Sequence, residues 1–188
     1  MVDEFSYLSV LIGLILGLGI TKLMEGIGHL VQLRQRIVWY WPLNVWVAAL
    51  LIFHLQAWWA MYELRHISDW TFTAFLIVLI QPVLLFLLSA LALPDVSDIE
   101  QIDLRTSFID HATFTFRIAT LMVFSSLLKE YWLYHRLPHV TNLTFHSLFV
   151  ALFIVGSFDG GERRYEWVVF LIALILLLYI YLLFTQLI

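Results

Sequence analysis

Three ionisable residues, Lys22, Glu25 and His29, lie in an otherwise apolar stretch of the chain. Offsets of three and seven residues place their side chains above one another on one face of a helix. Ionisable groups in an apolar span usually face a protein interior or a water-filled pocket, where they pair or carry ions and protons. Arg117 needs an acceptor for the same reason, so we expect it to pair with Glu25. Alternatively, Lys22 and Arg117 reach toward the membrane surface and Glu25 only neutralises Lys22.

A second polar layer consists of His54, Gln81 and His146, each in a different apolar stretch. Two histidines at similar depth can ligate a haem, carry a proton or form hydrogen bonds within a helix bundle. Hydroxyls and backbone carbonyls easily satisfy a neutral imidazole, so hydrogen bonding is the favoured interpretation and haem is not.

Composition places these residues in a membrane protein. Hydrophobic residues make up 62% of the 188 residues, charged residues 13%, and the mean hydropathy is +0.92. A soluble domain is roughly half apolar and about one-quarter charged. The net charge of −4 excludes a nucleic-acid groove, and the lack of cysteine excludes disulfides and thiolate metal sites. The lipid bilayer is therefore the first expected partner.

The pattern predicts an all-α transmembrane bundle, one domain over 1–188, with about six spanning helices. The connection from Pro94 to Asp110 predicts a short interfacial helix. Five basic residues in the odd-numbered connections against three in the even-numbered ones, among them Lys129, favour both termini outside. The expected spans cover residues 5–33, 39–62, 70–93, 110–134, 140–158 and 165–187.

Five glycines give the first span a stripe of small residues, which in lipid permits close approach of another helix. That helix belongs either to the same chain or to a second copy, and we expect a homo-oligomer. The glycines are Gly13, Gly17, Gly19, Gly26 and Gly28.

The sequence lacks the motifs of several classes of enzyme. No Gly-x-Ser-x-Gly elbow, Gly-rich phosphate loop or His-Glu-x-x-His zinc helix is present. We therefore predict no catalytic residue and no metal site, and an enzyme is disfavoured.

With these features, the chain resembles a group of small six-span membrane proteins that are widespread in bacteria. The resemblance rests on Gly17-Leu18-Gly19-Ile20-Thr21, Tyr40-Trp41-Pro42, Trp58-Trp59 and the connection from Leu93-Pro94-Asp95 to Asp103-Leu104-Arg105. It covers about the first two-thirds of the chain and implies a location in the bacterial inner membrane, but no activity.

These observations predict conduction or transport of a small ion or proton, because buried ionisable groups usually mark pathways. Lys22, Glu25 and Arg117 would form an inner gate or proton-coupled site. His54, Gln81 and His146 would line the outer half. One alternative is a structural or accessory subunit of a membrane complex, whose polar groups only fix the helix packing. A second is a haem-binding redox protein.

Overall fold

A computed structural model describes residues 4–67, 69–94 and 101–186 of the chain, with side chains described as far as residue 182. These residues form six α-helices, which confirms the all-α bundle. Five helical segments are long and apolar enough to cross a membrane, whereas the fifth helix is apolar but has only 17 residues. The helices are α1 Glu4–Gln32, α2 Trp41–Ala60, α3 Phe72–Ala92, α4 Leu104–Tyr134, α5 Val140–Gly156 and α6 Glu162–Gln186.

The connections before α2 and α4 meet in a short parallel strand pair, β1 (Ile37–Val38) and β2 (Ile102–Asp103). Of the connection in which an interfacial helix is predicted, residues 95–100 lie outside the described part. The described remainder is extended at β2, and α4 already begins at Leu104. Asp103 explains this early start, because its carboxylate accepts hydrogen bonds from the Thr106 hydroxyl and the Arg105 N–H, both at 2.9 Å. These two bonds lower the pKa of Asp103, and the bond from the Thr106 side chain contributes the most.

The first and third helices run side by side in the same direction. Tyr7 near the start of α1 and Phe75 near the start of α3 line one groove, and Gly26 near the end of α1 approaches Leu93 just after α3. α1 packs on α3 and α2, whereas α4 packs chiefly on α3 and α5, and α6 on α5 and α2. The helix α1 therefore lies at the periphery of the bundle, and no other described element covers its outer face.

Aromatic side chains fill the centre of the bundle. The ring of Trp46 on α2 meets Phe116 of α4 at 5.3 Å and Phe153 of α5 at 6.0 Å between centroids. Phe53 of α2 meets Phe149 of α5 at 5.5 Å, edge to face. Such pairs contribute about 0.5–1.5 kcal/mol beyond the area that they bury. Side-chain packing therefore occupies the space between α2, α4 and α5.

Candidate functional site

Lys22 and Glu25 lie on the outside of the bundle. The Nζ atom of Lys22 is 3.1 Å from Oε2 of Glu25, and the two side chains are 52% and 51% exposed. The face of α1 that packs on its neighbours carries Leu16, Gly19 and Leu23 instead. Since Gly26 approaches Leu93 directly after α3, the ion pair lies within about two turns of that end of the bundle. His29 is also exposed, in the last turn of α1.

The pair expected between Glu25 and Arg117 is not formed, and that prediction is wrong. Glu25 bonds to Lys22 on its own helix, and α1 packs on α3 and α2 rather than on α4. Arg117 is exposed on α4, and the described residues include no hydrogen-bond or ion-pair partner for it. The preceding residue, Phe116, touches Gly156 at the end of α5, so Arg117 lies near that end and its long side chain can reach the interface.

His54 is fully buried, at 0% exposure, where α1, α2 and α3 meet. Its Nδ1 donates to the carbonyl of Leu50 at 2.8 Å, since a carbonyl can only accept. Its Nε2 lies 3.3 Å from the hydroxyl of Ser89 on α3, which also lies 3.0 Å from the carbonyl of Leu85. A Cβ atom on Gly19 would overlap this imidazole. Gly19 therefore provides the space that lets α1 pack over His54.

His146 forms the same kind of bridge on the other side of the bundle. Its Nδ1 donates to the carbonyl of Asn142 at 2.7 Å, and its Nε2 lies 3.3 Å from the hydroxyl of Ser126 on α4. Each histidine thus links its own helix to a serine of a neighbouring helix. Both ring nitrogens of both histidines are engaged by protein groups in this arrangement. The geometry is that of hydrogen-bonded helix packing, the interpretation that the sequence favours.

Gln81 accepts a hydrogen bond from Lys129, a residue that the count of basic residues assigns to a connection. The Nζ atom of Lys129 on α4 lies 2.8 Å from Oε1 of Gln81 on α3, and both side chains are partly buried. Lys129 lies inside the predicted span 110–134, and this position is the signal that could have identified it. Ser89 and Ser126 were also missed, because a lone serine in an apolar span has no distinguishing pattern.

Substitutions at the Gln81–Lys129 pair test whether it holds α3 to α4. Gln81→Leu leaves the ammonium of Lys129 without its acceptor and is expected to destabilise the protein by about 1–3 kcal/mol. Adding Lys129→Met to Gln81→Leu removes the unpaired charge and should restore most of the loss, because an apolar replacement of both partners is often close to neutral. Thermal unfolding in detergent, followed by circular dichroism, measures both effects. Equal stability of Gln81→Leu and wild type would show that the bond contributes nothing.

The glycines of α1 fall into two groups. Gly19 and Gly26 face neighbouring helices closely, with His54 and Leu93 respectively beside them. Gly13, Gly17 and Gly28 have open space where a side chain would stand. The first group serves packing within the chain, and the second leaves small residues on the outer surface of α1.

The described residues contain no group of three or more His, Asp or Glu side chains that could hold a metal ion. Comparisons with family models, with curated proteins and with solved structures found no match to this chain. The likeness to small bacterial six-span proteins therefore stays a prediction, and the function has to be argued from the geometry.

Proposed function

We propose that this integral membrane protein is a structural or accessory subunit, and that it associates through the outer face of α1. One observation carries the proposal. Of the polar side chains predicted to line a pathway, some form hydrogen bonds between helices of the chain, and others are charged groups on the outside of the bundle. His54, Gln81 and His146 each bridge two helices of the same chain. Lys22 and Glu25 lie on the exterior.

Three features support protein association at the α1 outer face, which we define as Leu14, Gly17, Thr21, Glu25 and Gly28. These residues follow one another at offsets of three or four, so they share one side of the helix. Gly17 and Gly28 have open space where a side chain would stand. The hydroxyl of Thr21 donates to the backbone carbonyl of Gly17. Small residues at such spacing allow the backbones of two transmembrane helices to approach closely.

Charge complementarity favours a second copy of the chain as the occupant of this face. Lys22 and Glu25 lie one turn apart, so a two-fold axis beside α1 would bring each lysine near the glutamate of the other copy. Such reciprocal ion pairs would set the register, while the glycines permit the close contact. This occupant agrees with the homo-oligomer expected from the sequence.

The experiment that tests the proposal measures association in liposomes. Copies labelled with donor and acceptor fluorophores should transfer energy at dilute protein-to-lipid ratios. Gly17→Leu should reduce that transfer strongly, since it fills the close-contact position. The matched control is Ala151→Leu, which places the same leucine side chain at an exposed small residue of α5. Transfer no greater than that of a monomeric membrane protein, or equal loss in both variants, would contradict the proposal.

Transport of an ion or proton remains a second candidate, favoured by Lys129. A partly buried lysine with an amide oxygen as its described acceptor is costly inside a span, and such groups often mark pathways. Under the subunit proposal, wild-type liposomes should dissipate pH and potassium gradients no faster than protein-free ones. Faster dissipation by wild type than by Glu25→Gln and Lys129→Met, at equal incorporation, would favour transport instead.

A further inference from the structure

A groove of about 540 Å³ opens between the starts of α1 and α3. Four aromatic side chains, Tyr7, Trp70, Phe72 and Phe75, line it, and the carboxylate-bearing Glu4 lies at its α1 wall. Its volume falls in the range of small-molecule sites. Tyr7 and Phe72 are each 75% exposed, so the groove opens to the surroundings of the bundle rather than to its interior.

The depth of the groove places it at a membrane surface. Both walls are first turns of spanning helices, and Trp and Tyr concentrate at the boundary between headgroups and hydrocarbon. Lipid molecules are therefore the compounds that meet this groove at the highest concentration.

The chemistry of the lining favours a cation. The face of an aromatic ring attracts a positively charged group, and several rings around one space are the usual receptor for an alkylammonium ion. Glu4 adds a negative charge beside these rings. An ammonium group held among Tyr7, Trp70 and Phe75 would thus meet both an opposite charge and ring faces.

The start of α3, which lines the same groove, offers a position for an anion beside the ammonium group. Thr71 already accepts from the N–H of Ala74 through its side chain at 3.1 Å and from the N–H of Phe75 through its carbonyl at 3.0 Å, so the N–H groups of Phe72 and Thr73 are the ones that lack a partner within the helix. Helix starts attract phosphate groups for this reason. Trp70 lies directly before this turn, and its indole N–H is buried with no acceptor among the described residues.

We infer that the groove binds the headgroup of a zwitterionic amine lipid, phosphatidylethanolamine. Its ammonium group lies against Glu4 and the aromatic rings, and its phosphate lies near the start of α3. The exposed apolar rim at Phe72 contacts an acyl chain. This site lies at the opposite end of α1 from Lys22 and Glu25, so it does not depend on the association proposed above.

Native mass spectrometry of protein released from nanodiscs of equal parts phosphatidylethanolamine and phosphatidylglycerol tests the inference. Wild type should retain the ethanolamine lipid with a preference of roughly tenfold, and Glu4→Gln should reduce that preference severalfold. Glu63→Gln is the matched control, because it removes an exposed carboxylate from the same end of the bundle outside the groove.

Three outcomes would overturn the inference: equal retention of the two lipids, an unchanged preference in Glu4→Gln, or an equal loss in Glu63→Gln. Soluble phosphoethanolamine distinguishes a lipid site from a site for free amines. It should displace the bound lipid only weakly, since it lacks the acyl chain. Full displacement at low millimolar concentration would contradict a lipid site. Thermal unfolding of each variant shows that the fold is intact.

Discussion

Gly19→Ala is expected to destabilise the protein by about 1–3 kcal/mol, the usual cost of forcing an extra methyl group into a packed interior. The added methyl group would overlap the imidazole of His54, which is fully buried. The ring cannot turn aside without breaking its bond to the carbonyl of Leu50. Relief therefore requires α1 to move away from α2 and α3.

Gly17→Ala is the matched control for Gly19→Ala, since nothing lies within 4 Å of the added atom. Both variants gain the same intrinsic helix propensity. The difference between their stabilities therefore measures the cost of the overlap with His54. His54→Ala combined with Gly19→Ala should recover part of the lost stability, because it removes the side chain that clashes. Unfolding in detergent, followed by circular dichroism, measures all three. Equal stability of Gly19→Ala and Gly17→Ala would contradict the packing described at His54.

Reversing one charge of the Lys22–Glu25 pair is expected to weaken association by roughly tenfold or more, equivalent to about 1.4 kcal/mol. Lys22→Glu places four carboxylates at the proposed two-fold contact, and Glu25→Lys places four ammonium groups there. Like charges in one interface oppose association. Mixing the two variants pairs opposite charges again and should restore energy transfer between differently labelled copies.

The double variant with both Lys22→Glu and Glu25→Lys is the internal control for this experiment. It keeps the ion pair within α1 and the net charge, so it should associate like wild type. Association of both single variants at wild-type strength would show that these charges take no part in the contact. Failure of the mixture to recover, when each variant is folded, would exclude reciprocal pairing.

Span positions follow from the sequence because hydrocarbon imposes a length and a composition on each helix. The predicted spans 5–33 and 39–62 differ from α1 and α2 by one or two residues at each end. Trp41 and Pro42 mark the start of α2 by local rules, since proline is compatible with the first helical turn. The start of α4 differs by six residues, because the capping role of Asp103 depends on where the preceding chain pairs with β1.

The partners of the polar side chains depend on how each helix is rotated, and the sequence contains little information on that. In water the apolar side of a helix identifies its buried face, but in lipid the outer face is apolar as well. Exposed Leu14 and buried Leu16 on α1 look alike in the sequence. Bonds within one helix need only a suitable spacing, and the bond from Lys22 to Glu25 is the alternative that the sequence offers to the pair with Arg117. Bonds between helices, such as His54 to Ser89, require the neighbours to be known.

Cysteine cross-linking in native membranes tests the association of α1 most directly, because the chain contains no cysteine of its own. A disulfide forms only where two Cα atoms approach within about 4.4–6.8 Å. Gly17→Cys and Thr21→Cys, on the α1 outer face, should give a covalent dimer under mild oxidation. Leu121→Cys, at an exposed position of α4, should remain monomeric. Cross-linking of Leu121→Cys as efficient as that of the α1 variants, or the absence of a dimer from both α1 variants, would contradict the account.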